Sequence, residues 1–199
     1  MSKPHKVIQL ILASNSQRRK ELLMETRFPF TTIHPDFDEQ YPNHLKDVEI
    51  VDYIVHQKAN KIHSISTHEN LILVADTIVW DGLHCLGKPE NEQQAFRMLQ
   101  QLSGQTHKVI TGVGFLLNQK VDLIHQSTEV TFKPLEKDEI LYYIESHTPF
   151  DKAGSYGIQE WIGSIGVDSI KGSYTNVVGL PLSHVYEKLK DYATRFVFD

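Results

Sequence analysis

The chain has 199 residues, a length that predicts one domain or two small lobes around a cleft. Its composition, 40% hydrophobic and 23% charged, is ordinary for a globular protein and excludes bulk disorder. The net charge of −5 argues against a general binder of nucleic acids or anionic membranes, since both need a basic surface. The single cysteine, Cys85, excludes an intramolecular disulfide and an all-cysteine zinc site, and it favours a reducing cytoplasm.

The first apolar run allows two interpretations. Val7–Ala13 is short, is interrupted by Gln9 and leads directly into polar residues, which favours a buried first strand over a signal peptide. No run reaches the roughly 18 apolar residues that a membrane helix needs, so we expect no membrane partner.

Hydrophobic periodicity and turn residues predict strands and helices in the following chain order. The predicted elements are a strand (Val7–Ala13), a helix (Ser16–Glu25), a short strand (Phe30–Ile33), a helix (Leu45–Ile65), a strand (Leu71–Trp80) with a hairpin partner (Leu83–Leu86), a helix (Asn91–Leu102), a hairpin (Val109–Leu117 and Leu123–Phe132), a helix (Lys137–Ser146), a glycine-rich segment with short strands (Ala153–Gly172) and a closing helix (Pro181–Tyr192). This order predicts an α/β fold with a central mixed sheet flanked by helices, two-lobed with a cleft.

The junction between the first strand and the first helix is a candidate anion site. Arg18 and Arg19 fall in the first helical turn, where positive charge opposes the helix dipole. A bound phosphate would remove that conflict, because helix N-terminal amides attract anions and arginine adds bidentate donors. Small hydroxyl residues such as Ser14 let the backbone come close to the anion. The alternative is a solvated basic turn.

Asp76 ends an apolar run and is the candidate for acid–base or metal chemistry. A carboxylate after Leu71–Ala75 is costly unless it is paired, hydrogen-bonded or bound to a metal. Aspartates at such positions commonly hold Mg²⁺ or act as general bases. The alternative is an aspartate that caps a turn.

Weaker candidates lie elsewhere in the chain. Lys88 precedes Pro89 and could meet a phosphate near the strand pair that includes Asp76. Lys152 offers charge in a glycine-containing segment, and the amide of Gln159 could pair with a base edge. Taken alone, each of these is more often a solvated lysine or a structural turn. The acidic stretch 36–39 is equally well explained as a metal-ligand source or a solvated loop.

In chain order, seven segments resemble those of the Maf proteins, nucleotide pyrophosphatases first described as septum-formation inhibitors. The similarity runs from about Leu10 to Leu182. The matching blocks are Ala13-Ser14-x-Ser16-x-Arg18-Arg19-x-x-Leu22-Leu23, Gln57-Lys58-Ala59, Ala75-Asp76-Thr77-x-Val79, Gly87-Lys88-Pro89, Met98-Leu99-x-x-Leu102-Ser103-Gly104, Asp151-Lys152-Ala153-Gly154-x-Tyr156-Gly157-Ile158-Gln159 and Asn176-Val177-Val178-Gly179-Leu180-Pro181.

The resemblance implies a fold related to that of the inosine-triphosphate pyrophosphatases. It also implies hydrolysis of a nucleoside triphosphate between the α and β phosphates, with a divalent cation, Mg²⁺ or Mn²⁺. Asp76 matches the family's proton acceptor. Arg18, Thr77 and Gln159 match the three positions that distinguish the dTTP/UTP branch from a sister branch that prefers 7-methyl-GTP.

A triphosphate needs concentrated positive charge, which this acidic chain must supply locally. The expected site residues are catalytic Asp76, Lys58 and Lys88; specificity-determining Arg18, Thr77 and Gln159; phosphate-binding Ser14, Arg18, Arg19 and Lys152; and metal-binding Asp76 and Glu39. We expect dTTP, UTP and modified pyrimidine triphosphates to be hydrolysed in the cleaning of nucleotide pools, with a link to cell-division arrest.

One block departs from the family pattern. The usual Ser-Pro-Arg-Arg is Ser16-Gln17-Arg18-Arg19 here, from which we expect a modest loss of rigidity and no loss of function. The alternatives are a 7-methyl-GTP-type pyrophosphatase and a non-catalytic, nucleotide-binding regulator of septum formation. The resemblance also implies one domain over residues 1–199 and a homodimer, and the single cysteine predicts a cytoplasmic location.

Overall fold

The computed structural model describes residues 9–37 and 39–192. The first two residues of the predicted strand Val7–Ala13 lie outside the described residues. The strands are β1 (Gln9–Ala13), β2 (Phe30–Ile33), β3 (Asn70–Trp80), β4 (Cys85–Leu86), β5 (Thr106–Leu117), β6 (Lys120–Phe132) and β7 (Val167–Lys171). The helices are α1 (Gln17–Met24), α2 (Val48–Lys61), α3 (Glu92–Leu102), α4 (Lys137–His147), α5 (Trp161–Gly166), α6 (Tyr174–Val178) and α7 (Leu182–Tyr192), with 3₁₀ turns at His63–Ile65, Pro149–Asp151 and Ala153–Ser155.

All seven strands form one mixed sheet. The order is β2-β1-β3-β5-β6-β7, and β4 pairs with β3 beside this path. β1 runs parallel to β2 and β3, whereas β3, β5, β6 and β7 pair antiparallel to one another in succession. The predicted α/β fold with a mixed central sheet is therefore confirmed. No helix of the described residues is long and apolar enough to cross a membrane.

Several predicted boundaries were wrong, and backbone geometry explains them. The helix predicted over Leu45–Ile65 begins at Val48, because Asp47 has a φ of 50°, and it is followed by a 3₁₀ turn. The β5–β6 turn consists of Asn118 and Gln119, both with positive φ, so β6 begins at Lys120 and not at Leu123. β5 is longer at its other end, where it begins at Thr106. The segment predicted to hold short strands contains one 3₁₀ turn, Ala153–Ser155, and α5 before its single strand, β7.

The alternation of side chains along β3 divides the core. Ile72 and Val74 belong to an apolar cluster with α2 on one face of the sheet. Leu71 and Leu73 belong to a second cluster, with α1 and α7, on the other face. A third cluster around α3 and α4 includes Val79. Burial of each such side chain stabilises the fold by about 1.5–3 kcal/mol relative to exposure.

One edge of β3 has no paired strand, among the described residues, over the middle of its length. β5 pairs with β3 along one edge, and β1 and β4 share the other. β1 pairs with β3 only as far as Leu73, and β4 begins opposite Val79. Among the described strands none pairs with this edge between those two residues, and Asp76 lies in that interval.

Candidate active site

The N-terminus of α1 is shaped by two serine side chains. Ser16 is the N-cap, and its hydroxyl accepts a hydrogen bond from the Arg19 N–H at 3.3 Å. The hydroxyl of Ser14 accepts one from the Ser16 N–H at 3.1 Å. Ser14 is buried, so its hydroxyl stabilises this loop from the interior of the protein.

The side chains of Arg18 and Arg19 extend from this turn into different environments. Arg19 donates from Nε to the Gly179 carbonyl at 2.9 Å and from Nη2 to Thr77 Oγ1 at 3.0 Å. Burial lowers the pKa of Arg19, and the nearby carboxylates of Asp76 and Glu39 only partly offset this. Both of these hydrogen-bond partners are neutral. The positive charge of Arg19 is therefore available to an anion in the cavity, because no carboxylate is hydrogen-bonded to it. Arg18 instead pairs with a carboxylate.

A chain of hydroxyl groups fixes the orientation of Thr77. Thr111 donates its proton to the Asn176 carbonyl at 2.9 Å, so it can only accept from Thr77, whose oxygen lies 3.0 Å away. Thr77 accepts from Arg19 in turn. The hydroxyl of Thr77 therefore orients the guanidinium, and a ligand can use it only as an acceptor.

Asp76 belongs to a chain of alternating charges at the open edge of β3. Lys58 on α2 places Nζ 2.6 Å from Asp76 Oδ1 and 3.1 Å from Glu39 Oε1. Lys88 lies 2.7 Å from Glu39 Oε2. Burial alone would raise the pKa of Glu39, but Lys58 and Lys88 outweigh it and lower that pKa. Asp76 and Lys58 are 6% and 5% exposed, so their charges depend on each other.

The carboxylates of Asp76 and Glu39 fit a hard divalent cation. No group of three histidine, cysteine, aspartate or glutamate side chains among the described residues is arranged to hold a metal alone. Mg²⁺ is usually bound by one or two carboxylates together with waters and substrate phosphates. Asp76 and Glu39 are two such carboxylates, and both contact Lys58 Nζ.

Arg18, Asp151 and Lys152 line another part of the cavity and belong to a balanced set of charges that also includes Glu160. Arg18 Nη1 lies 2.8 Å from Asp151 Oδ2. Lys152 Nζ lies 2.7 Å from Asp151 Oδ1 and 3.1 Å from Glu160 Oε1. Burial would raise the pKa of Asp151, but Lys152 and Arg18 lower it overall. Gln159 is exposed beside this group.

These walls enclose a cavity of about 660 Å³, a size typical of small-molecule sites. Of the predicted site residues, the cavity lining contains Arg18, Arg19, Glu39, Thr77, Lys88, Lys152 and Gln159. Ser14, Lys58 and Asp76 do not line it. Since consecutive strand residues point to opposite faces, Asp76 lies on the α2 face and Thr77 on the cavity face. Glu39, which touches Lys58, connects the two.

Comparison with known proteins identifies the family. Residues 9–192 match the family model described as Maf-like protein. The chain belongs to the Maf family. It is 45% identical to the dTTP/UTP pyrophosphatase of Flavobacterium johnsoniae over 184 residues, covering 92% of this chain and 95% of that protein. It is 47% identical to the dTTP/UTP pyrophosphatase of Bacteroides fragilis, with the same coverage, and 50% identical to that of Phocaeicola vulgatus over 185 residues, again with the same coverage. The predicted family is confirmed.

Sequence reasoning missed several side chains that contact residues of the candidate site. Glu160 follows Gln159 directly and touches Lys152. Thr111 lies in the middle of β5, where a hydroxyl in an apolar strand was the signal of a buried polar contact. Tyr143 is a buried residue of α4, and its sequence position gives no sign of a role. Only its hydrogen bonds with Glu160 and Gly157 distinguish it from the apolar residues of that helix.

Proposed function

We propose that this Maf protein hydrolyses dTTP and UTP to the monophosphate and pyrophosphate. The names of relatives that are 45–50% identical over 92% of the chain support this activity. The geometric observation that supports it most is the ion chain of Asp76, Lys58, Glu39 and Lys88 beside the arginine-bearing turn of α1. It sets a carboxylate base next to concentrated cations, as phosphoryl chemistry requires.

The charges suggest how the nucleotide is oriented. Arg19 and Lys88 bind the leaving phosphates, because Arg19 has only neutral partners and Lys88 is exposed at the cavity wall. Arg18 and Lys152 contact the phosphates nearer the nucleoside, where Asp151 moderates their charge. Ser14 shapes the loop that supplies backbone amides.

Asp76 acts as the proton acceptor. It takes a proton from a water molecule, and the water oxygen forms a bond to the α phosphorus. The bond from the α phosphorus to the bridging oxygen breaks, and its electron pair leaves with pyrophosphate. Lys58 orients the Asp76 carboxylate through its 2.6 Å contact, and Lys88 stabilises the charge that develops on the leaving group. A divalent cation, Mg²⁺ or Mn²⁺, held by Asp76 and Glu39 supplies further charge stabilisation when bound.

Specificity resides in the part of the cavity lined by Gln159, Arg18 and Thr77. The exposed amide of Gln159 offers a donor and an acceptor to the pyrimidine edge. Thr77 and Arg18 set the width and charge of this region. The proposal extends to pyrimidine triphosphates modified at the 5-position, with the cleaning of nucleotide pools as the physiological role.

The remaining features of the proposal rest on the sequence and the resemblance. They are one domain over residues 1–199, a cytoplasmic location and a homodimer. The unpaired Cys85 supports a reducing compartment.

The deciding experiment is product analysis with dTTP, UTP, CTP, GTP, ATP and 7-methyl-GTP in Mg²⁺ or Mn²⁺. We expect pyrophosphate and monophosphate from dTTP and UTP. Orthophosphate as the first product would refute the bond assignment, and turnover of 7-methyl-GTP alone would refute the branch. Asp76→Asn should abolish turnover and keep nucleotide binding, with the exposed Asp168→Asn as the matched control. Binding without turnover in the unmodified protein would favour a regulatory protein.

A further inference from the structure

Glu160 lies at a junction of three elements beside the cavity. Its Oε1 is 3.1 Å from the Nζ of Lys152. Its Oε2 accepts a short hydrogen bond from the hydroxyl of Tyr143 on α4. The Tyr143 oxygen in turn accepts from the Gly157 N–H at 3.0 Å. The carboxylate of Glu160 thus links Lys152, helix α4 and the turn that contains Gln159.

Gly157 adapts this turn to the carboxylate. A Cβ at position 157 would lie 2.7 Å from Glu160 Cδ and 2.9–3.0 Å from both of its oxygens. The carboxylate therefore packs directly against the glycine backbone. The Glu160 N–H also donates to the Gly157 carbonyl at 3.0 Å, which closes the turn. Gln159 lies inside this closed turn.

The protonation states support the same arrangement. Burial and the neighbouring Glu160 raise the pKa of Tyr143, so its hydroxyl stays protonated and donates to the carboxylate. Charge-assisted hydrogen bonds of this kind are stronger and more directional than neutral ones. Lys152 divides its charge between Asp151 and Glu160, so loss of Glu160 would leave it on the carboxylate that also holds Arg18.

We propose that Glu160 is a positioning residue for base selection, which holds Lys152 and the turn with Gln159 in the geometry that accepts a pyrimidine. Glu160 does not line the cavity, so it acts through these two neighbours. The proposal rests on the pyrimidine specificity proposed above.

The first test compares Glu160→Gln with Glu145→Gln, an exposed glutamate on α4. Small displacements of a substrate-contacting group cost about 10- to 100-fold in rate. We expect a fall of that size in kcat/KM for dTTP and UTP, a smaller fall for GTP, and no change in the control. Loss of negative charge alone would instead strengthen the binding of every triphosphate. An equal change for all nucleotides, or none, would overturn the proposal.

A second set of variants tests the route of action. Gly157→Ala should displace the carboxylate and reproduce the selectivity loss of Glu160→Gln. In the double variant Glu160→Gln/Lys152→Met, the effects on selectivity should fall short of additivity, because both changes break one contact. Full additivity in the double variant, together with unchanged selectivity in Gly157→Ala, would contradict the proposal.

Equilibrium binding of dTTP and GTP without added metal separates this proposal from the proposed reaction. If the unmodified protein releases no pyrophosphate, the reaction assignment fails. The ratio of dTTP to GTP affinity in Glu160→Gln still decides the role of Glu160. A reduced ratio, together with faster amide hydrogen exchange at Gly157, is the expected result. An unchanged ratio would overturn the role of Glu160 even in a fully active enzyme.

Discussion

Replacement of Lys58 by methionine tests the buried ion chain most directly. Methionine keeps most of the apolar stem and removes only the ammonium group. Nζ of Lys58 is 2.6 Å from Asp76 Oδ1, and both side chains are almost fully buried. In Lys58→Met the Asp76 carboxylate remains buried without that partner, whereas Glu39 keeps Lys88 and is 39% exposed.

The size of the stability loss depends on whether the unpaired Asp76 carboxyl stays charged or takes up a proton. Breaking a buried pair by removing one partner destabilises a protein by about 3–5 kcal/mol. The carboxyl can instead take up a proton, which at pH 7 costs about 4 kcal/mol for an ordinary aspartate pKa of about 3.9. At pH 5 the same protonation costs about 1.5 kcal/mol. We therefore expect a loss in unfolding free energy of about 4 kcal/mol at pH 7 and about 1.5 kcal/mol at pH 5.

The loss of stability in Lys58→Met should grow as the pH rises. An unpaired buried carboxylate is relieved by taking up a proton, and that uptake costs less free energy at low pH. Urea unfolding of Lys58→Met at pH 5 and pH 7 measures this, with the exposed Lys61→Met on the same helix as the control. Adding Asp76→Asn should restore most of the loss. A pH-independent loss, or a double variant less stable than Lys58→Met, would refute the ion-chain explanation.

Three further predictions concern other parts of the molecule. Gln159→Glu should lower kcat/KM for dTTP and UTP by about 10- to 100-fold, because a carboxylate cannot donate to the base, and an unchanged substrate profile would contradict this. Burial lowers the pKa of His107 to about 4, so the protein should lose up to about 3 kcal/mol between pH 6.5 and pH 4 in urea unfolding. His107→Phe should show a smaller loss over that range, and an equal loss would argue against His107 as the cause. Gln17→Pro, at the first position of α1, should raise the melting temperature through about 0.4–1 kcal/mol without changing kcat/KM. A lower melting temperature would show that the Gln17 side chain, which donates to Glu21, matters more.

The sequence predicted the site better where the argument depended on local costs. A charged Asp76 after five apolar residues had to have a partner, and Lys58 provides one. The arginines at the start of α1 lie in the cavity wall, as an anion site requires. Both arguments rest on neighbours within one element, and such arguments need no knowledge of the tertiary fold.

Pairings between distant residues could not be predicted in the same way. Glu39 meets Lys58 from one direction and Lys88 from another, and only the packing of α2 against the sheet brings them together. The turn with Gln159 is similar. Gly154 has a φ of 68° and packs against Val79, so this segment is determined by the strand beneath it and not by its own pattern.

The open edge of β3 explains how two sequence neighbours can serve one substrate. Asp76 and Thr77 point to opposite faces of the sheet, because strand side chains alternate. A substrate can approach both only around an edge that no strand covers. β1 pairs with β3 as far as Leu73, and β4 pairs with it from Val79 onward. The unpaired interval between them therefore includes Asp76 and Thr77. The lengths of β1 and β4, more than any single motif, therefore leave room for the proposed base Asp76 and the hydroxyl of Thr77 to serve one site.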